Sequence, residues 1–409
     1  MQNTKKIFRL QGKIQHYTWG GTEFIPSLLR QPSDPGLPCA ELWLGAHQNA
    51  PSEVIVSDTE RVALDQFISQ APAEILGEAA TQQFGRLPYL LKVLDVKDML
   101  SIQVHPSRQA ALRELEAENK RGIPLNDPSR NYKDDNHKPE LMLALSPFWL
   151  LHGFKPAVLL KQTLAQVQEL SFLLPVFAEG DYRTLYKTVM EMNQPEVNAR
   201  LEPLIQRILP AYESGTLDKD GEDFWAARAF KTFCTPDRYD RGLFSIYLFN
   251  LLHLQPGEAI FQDAGILHAY LEGRNIEIMA NSDNVLRGGL TNKHVDVAEL
   301  LKHVVFEPVE PHIIKGTKLP ESAEWRFATP APDFELRVLS LAANEEADIS
   351  TRSAGIFLVL EGRAEAGADK DLLQLQQGEA MLAKAGSSIH WRAVEATRIF
   401  HALVPYAHA

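Results

Sequence analysis

The chain is 409 residues long, 45% hydrophobic and 23% charged, with a formal net charge of −12 and an isoelectric point of about 5.6. That balance excludes a disordered or fibrous chain, and an acidic surface disfavours nucleic acid or an anionic membrane as partner, because both attract basic surface. At about 100–200 residues per domain, the length points to two or three domains. Only two cysteines occur, Cys39 and Cys234, far apart and without CxxC spacing. Neither a disulfide framework nor a thiolate zinc site is expected from them. The segment Met1-Gln2-Asn3-Thr4-Lys5-Lys6 is not followed by an apolar run, and the most apolar stretch, Leu141 to Phe154, is too short to span a bilayer and carries Pro147. We therefore expect a cytoplasmic protein that binds neither nucleic acid nor membrane, and we expect a monomer.

Along the chain, residues up to about 154 alternate Pro and Gly turn signals with short β-rich runs such as Tyr89-Leu90-Leu91-Lys92-Val93-Leu94. Such spacing predicts a sandwich or barrel. In Ser101-Ile102-Gln103-Val104-His105-Pro106, Gln103 and His105 are two apart on a prospective strand, so both face one side. The polar run Asn131 to Glu140 leads into the apolar strand Leu141-Met142-Leu143-Ala144-Leu145. A carboxylate at the mouth of a buried strand costs desolvation energy unless it is paired or holds a cation, so Glu140 needs a partner. From Pro156 the pattern becomes helical, with Leu160, Leu164 and Val167 in one group and Leu201, Leu204, Ile205 and Ile208 in another. Pro195 and Pro203 are placed to start or restart helices. β texture returns at Leu243-Phe244-Ser245-Ile246-Tyr247-Leu248 and again after about Lys318.

Leu254-Gln255-Pro256-Gly257-Glu258-Ala259-Ile260-Phe261-Gln262-Asp263-Ala264-Gly265 aligns without gaps on Leu375-Gln376-Gln377-Gly378-Glu379-Ala380-Met381-Leu382-Ala383-Lys384-Ala385-Gly386. A repeated turn, strand and turn points to a duplicated β unit and resembles the cupin barrel, a jelly roll of short antiparallel strands. Three residues after Gly265 stands His268, whereas three after Gly386 stands Ile389. His390 is displaced by one position, which on a strand turns it to the other face. The second unit is accordingly expected to lack a metal. Gln103, His105, Glu140 and His268 together offer two imidazoles, a carboxylate and an amide oxygen, a set suited to zinc or a related divalent metal. Taken alone, a His beside Pro or a Gln in a strand is more often a structural hydrogen bonder than a ligand. A third cluster, Glu277 to Lys293, packs Glu277, Asp283, Arg287 and Lys293 among small and turn-forming residues. Arg287 and Lys293 are suited to a phosphate, and Arg287 to an oxyanion beside a metal.

Six ordered motifs carry a resemblance to type I phosphomannose isomerases. They are Tyr17-Thr18-Trp19-Gly20, Ala40-Glu41-Leu42-Trp43-Leu44-Gly45-Ala46-His47, Leu100 to Pro106, Asn136-His137-Lys138-Pro139-Glu140, Gly265-Ile266-Leu267-His268-Ala269-Tyr270 and Ser282 to Thr291. The match runs from about residue 8 to about residue 300. The resemblance implies a mainly β fold of duplicated cupin-like jelly-roll barrels with an all-α domain. We expect a catalytic domain from residues 1–154 and 236–318, a helical domain at 155–235 and a metal-free C-terminal β domain at 319–409. The resemblance also implies one zinc ion per chain on Gln103, His105, Glu140 and His268, and a catalytic Arg287.

The implied reaction interconverts mannose 6-phosphate and fructose 6-phosphate through an enediol, with proton removal at C2 and return at C1. The metal would stabilise enediolate charge and Arg287 would add a fixed positive charge. A base is then needed, and Glu277, Asp283, His137 and Lys138 are the candidates. Substrate contacts are expected from Ser101, Lys293 and Trp19. Two rival readings stand beside this one: a non-catalytic cupin that binds a sugar phosphate, and a non-haem iron cupin oxygenase. The amide ligand Gln103 argues against the second, whose metal usually sits on two His and one carboxylate.

Overall fold

The computed structural model of the chain describes residues 5–405. Residues 1–4 and 406–409, which include the start of the Met1–Lys6 segment and the two ends of the expected domain plan, lie outside the described residues. The fold is mainly β with a group of helices. Its described strands form sheets of eleven, nine and four strands.

The eleven-stranded sheet is built on strict alternation. Glu41–Gly45, Tyr89–Val96, Glu140–Ala144 and His268–Ala280 are buried along most of their length. Leu42, Leu44, Leu91, Val93, Leu141, Leu143, Ile276 and Ile278 enter the core shared with the nine-stranded sheet. Successive strand residues point to opposite faces, so Glu41, Trp43, Lys92, Glu140 and Glu277 all emerge on the other side. Register then sets them beside one another. Lys92 pairs with Trp43 on one neighbouring strand and with Glu277 on the other, and Met279 pairs with Glu140. Off the main path, the short strand Ile102–Val104 lies between two partners, and Gln103 is opposite both His268 and Arg287.

The nine-stranded sheet crosses the division expected at residue 319. Ile7–Gln11 pairs with Ala380–Ala383, and Glu53–Ile55 and Arg61–Ala63 extend the same sheet. The four-stranded sheet packs on its far side over a core of Ile7, Leu339, Phe357, Met381, Trp391 and their neighbours. The two copies of the internal repeat adopt the same local structure. Gly257 and Gly378 have φ of 89° and 82°, and Gly265 and Gly386 have φ of 82° and 71°. These are left-handed values that favour glycine, and they explain why both turns keep it. The strands Glu258–Gln262 and Ala380–Ala383 lie between them. Ile389 is buried, while His390 is exposed and pairs with Asp348 at 2.9 Å, as a one-residue displacement on a strand requires.

The helices Ala157–Gln166, Tyr182–Glu191, Gln194–Glu213 and Glu222–Phe233 surround an aromatic and aliphatic core. Two expectations fail here. Pro195 does lie in the first turn of its helix, behind the Asn193 cap, but Pro203 restarts nothing; it sits with Pro210 inside one helix, Gln194–Glu213. A proline there removes a backbone hydrogen bond, and the burial of Leu201, Leu204, Ile205 and Ile208 on the inner face offsets that loss. Residues 243–248, expected as a strand, belong to the helix Gly242–Leu248. Every residue of that helix is buried, and a short, continuously apolar run reads the same way in either conformation. Asp240 Oδ1 accepts from the Gly242 N–H at 2.7 Å and satisfies a first-turn donor of this helix.

Candidate metal centre

His105, Glu140 and His268 come from three distant segments, and their ligand atoms lie within 4.8 Å of one another. All three residues are at most 1% exposed. Each imidazole is oriented by a backbone carbonyl: His105 Nδ1 donates to Asn284 O at 2.8 Å and His268 Nδ1 donates to Ile266 O at 2.9 Å. A carbonyl can only accept, so the proton sits on Nδ1 and the Nε2 lone pair is left free in both rings. Both Nε2 atoms face Glu140, at 3.3 Å from Oε1 for His105 and 3.5 Å from Oε2 for His268. Among the described residues neither Nε2 atom has a hydrogen-bond partner, and neither does Glu140 Oε2. Buried acceptors without donors cost free energy, and two neutral imidazoles converging on a carboxylate is the donor set a divalent cation satisfies.

The electrostatics agree with that fit. Burial, with help from the Lys138 charge, pushes the His105 pKa down to about 4, so the ring is neutral at physiological pH, as a ligand must be. Burial alone would raise the Glu140 pKa, but the Lys138 charge holds it well below the usual carboxylate range. Lys138 Nζ lies 2.8 Å from Glu140 Oε1.

Above these residues opens a cavity of about 700 Å³. Its walls include Gln103, Lys138, Asp283, Arg287, Ser101, Lys293 and Trp19, so the sequence-derived metal, catalytic and substrate residues converge on one place. Glu277 lies just behind the wall. It accepts from Tyr270 Oη at 2.9 Å and pairs with Lys92 at 3.1 Å, and burial raises its pKa although the Lys92 charge opposes this. Asp283 is held ionised by His47, 3.2 Å away, against the effect of burial. His137, one of the expected base candidates, is not among the residues that line this cavity. Its Nε2 contacts Asp333 Oδ2 at 2.7 Å, whereas the neighbouring Lys138 turns to Glu140.

Sequence reasoning gave no role to Lys92, Glu41, His47 and Asp240. Lys92 is 6% exposed and lies 3.3 Å from Glu41 and 5.2 Å from the centre of the Trp43 ring. Burial opposes its charge, but Glu41, Glu277 and Glu140 hold it protonated, above the ordinary lysine range. The signal was available in the sequence: a lone lysine within the otherwise apolar run 89–94 must find a carboxylate or leave the core. Asp240 works from behind the site. Its Oδ1 accepts from the Gly242 and Leu290 N–H groups at 2.7 and 2.8 Å, and its Oδ2 from Thr291 N–H at 3.2 Å. It thereby fixes the segment between Arg287 and Lys293, in which Leu290 takes a left-handed φ of 51°.

Fold and site together define a β-rich metalloprotein with a two-histidine, one-carboxylate centre beneath a cavity carrying unpaired cations. Comparison with known proteins agrees. Residues 7–157 match the family model described as the phosphomannose isomerase type I catalytic domain. The mannose-6-phosphate isomerase of Salmonella typhimurium is 35% identical over 384 residues, covering 93% of this chain and 95% of the relative. The human mannose-6-phosphate isomerase is 30% identical, covering 95% and 96%. The crystal structure of the Salmonella typhimurium enzyme bound to fructose 6-phosphate and zinc superposes with a TM-score of 0.86 at 33% identity, covering 98% of this chain and 100% of that one. The chain belongs to the type I phosphomannose isomerase family.

Proposed function

We infer that this protein is a zinc-dependent isomerase that interconverts mannose 6-phosphate and fructose 6-phosphate. The observation that carries the reading is the set of three unpartnered buried ligand atoms, on His105, Glu140 and His268, under a cavity walled by Arg287 and Lys293. Gln103, on the cavity wall and opposite His268 in register, completes the proposed ligand set. Relatives that cover nearly the whole chain carry the name mannose-6-phosphate isomerase. Zinc bound there supplies Lewis acidity to the sugar's carbonyl and hydroxyl oxygens.

The remaining work falls to the chain. Arg287 has no carboxylate partner within 4.0 Å among the described residues, so its full charge is available to an enediolate oxygen or a phosphate. Lys293 and Ser101 are proposed to hold the phosphate and Trp19 to cover the sugar. Of the four base candidates, Lys138 and Asp283 reach the cavity directly and Glu277 reaches it through Lys92. Within this set we propose that Lys138, Asp283 and Glu277 share the movement of the proton between C2 and C1. The finer architecture we propose is a pair of cupin-like jelly-roll barrels with an all-α domain, supported by the matching local structure of residues 254–265 and 375–386.

A non-catalytic sugar-phosphate binder would not need the buried metal set, and an iron oxygenase would not need the cations. Neither alternative is favoured. The direct test is Arg287→Ala. Turnover of mannose 6-phosphate is expected to fall about 100- to 1,000-fold while zinc content, read by metal analysis, stays at one per chain. Activity within a few-fold of the parent would remove Arg287 from the reaction.

A further inference from the structure

Beside the substrate cavity lies a second one of about 360 Å³, and the two share Asn292 and Lys293 in their walls. The second cavity is lined by Arg238, Arg241, Lys293 and His294, with Asp240 as its one carboxylate. Its size falls within the range of about 300–1,000 Å³ usual for small-molecule sites. In a chain of net charge −12, such a concentration of positive charge is not a compositional accident of the surface around it.

The arginines and the lysine of this lining are not used in ion pairs among the described residues. Among the described residues none of Arg238, Arg241, Lys293 and His294 has a carboxylate oxygen within 4.0 Å, although ion pairs are plentiful elsewhere in the molecule. Arg241 donates only to the Met190 carbonyl. Asp240 turns both of its oxygens to the backbone N–H groups of Gly242, Leu290 and Thr291, and although its charge favours the protonated Arg241 it makes no ion pair within 4.0 Å with these side chains. Burial lowers the pKa of Arg241 and of Lys293; at Arg241 the Asp240 charge opposes this and Arg238 adds to it, and at Lys293 the Arg287 charge adds to it. An anion relieves this, and guanidinium groups match tetrahedral oxyanions by paired N–H donors.

We propose that the cleft formed by Arg238, Arg241, Lys293 and His294 is a second anion site for a phosphate dianion, distinct from the sugar-phosphate cavity but sharing Lys293 with it. The dianion comes either from free inorganic phosphate or from the second phosphate of a doubly phosphorylated hexose that spans the two cavities. The proposal rests on the sugar-phosphate reading only through that shared lysine, so it is tested by binding rather than turnover. Isothermal titration of the zinc-loaded chain with inorganic phosphate is expected to show two sites. Arg287→Ala is expected to retain one of them, and the pair Arg238→Gln with His294→Gln, both at exposed positions, is expected to remove that one. Titration with fructose 1,6-bisphosphate separates the sources. Affinity at least about tenfold above that of inorganic phosphate, lost in the double variant, assigns the spanning ligand; equal affinity assigns free phosphate. If Arg287→Ala abolishes all phosphate binding, or the double variant keeps both sites, the second site does not exist. Neither result would depend on whether the chain isomerises mannose 6-phosphate.

Discussion

Each of the two buried imidazoles spends Nδ1 on a backbone carbonyl and aims Nε2 at Glu140. This hydrogen bond suits each histidine to metal ligation, because it fixes both the tautomer and the ring angle. His268→Ala removes one nitrogen donor without disturbing the other two groups. It is expected to lower zinc affinity by at least about 100-fold, read by competition with a chromophoric chelator; unchanged affinity would exclude His268 from the site. At this scale the sequence was informative about the groups that converge and nearly silent about those that support them. Gln103, His105, Glu140 and His268 stand out because polar ligand types sit at strand positions where burial needs a reason. His137 misleads because a run as polar as 131–140 does not say which residue faces inward. Lys92, Glu41 and Glu277 form a buried network whose members are strand neighbours only after the register is known.

Strands and loops deliver these side chains to one face, and one loop needs a separate device. The segment from Arg287 to Lys293 turns sharply at Leu290 and is held by two N–H bonds to Asp240, which accepts a third from Gly242 at the start of the helix that follows it. Asp240→Ala leaves those donors unmet at a cost of about 1–3 kcal/mol each when buried. The expected result is a rise of about tenfold or more in KM for mannose 6-phosphate with zinc content unchanged, and Asp240→Asn, which keeps an accepting oxygen for Gly242 and Leu290, should recover part of it. A uniform loss of folded protein with an unchanged KM would make Asp240 merely structural. Sequence patterning could not anticipate this clamp, since the apolar run 243–248 was equally compatible with a strand. Only the helix Gly242–Leu248 brings Asp240 up to the Arg287 loop. By contrast, the short apolar runs 89–94 and 141–145 were plain because they are strands buried on both faces, and the helical periods of 160–167 and 201–208 because each buries one face.

Across the whole molecule, the nine-stranded sheet ties the two ends of the chain together, with Ile7–Gln11 running beside Ala380–Ala383. The internal repeat sets off residues 319–409 as a second β unit, and a repeat carries no information about which distant strands pair. Within that sheet, Glu324 is buried against His401 at 2.6 Å and Arg337 at 3.1 Å. Burial would raise its pKa, but these partners depress it from 4.5 to about 2. A carboxylate depressed on folding contributes stability that is full above its unfolded value and is lost as pH falls from about 4.5 through about 2. The contribution is about 3 kcal/mol. Urea unfolding followed from pH 7 down to about pH 2 is expected to show Glu324→Gln less stable at neutral pH and less sensitive to acid than the parent. Parallel acid profiles would remove Glu324 from the account. Among the described residues no helix is long and apolar enough to cross a membrane.

The proposed role of Gln103, His105, Glu140 and His268 is to hold together the one zinc ion that the isomerisation needs. It is tested most directly by assaying conversion of mannose 6-phosphate to fructose 6-phosphate on one preparation before chelation, after chelation and after zinc is returned. The account predicts activity, its loss and its recovery, with one zinc taken up per chain. A zinc-loaded protein that does not isomerise mannose 6-phosphate, or a chelated one that still does, would contradict it.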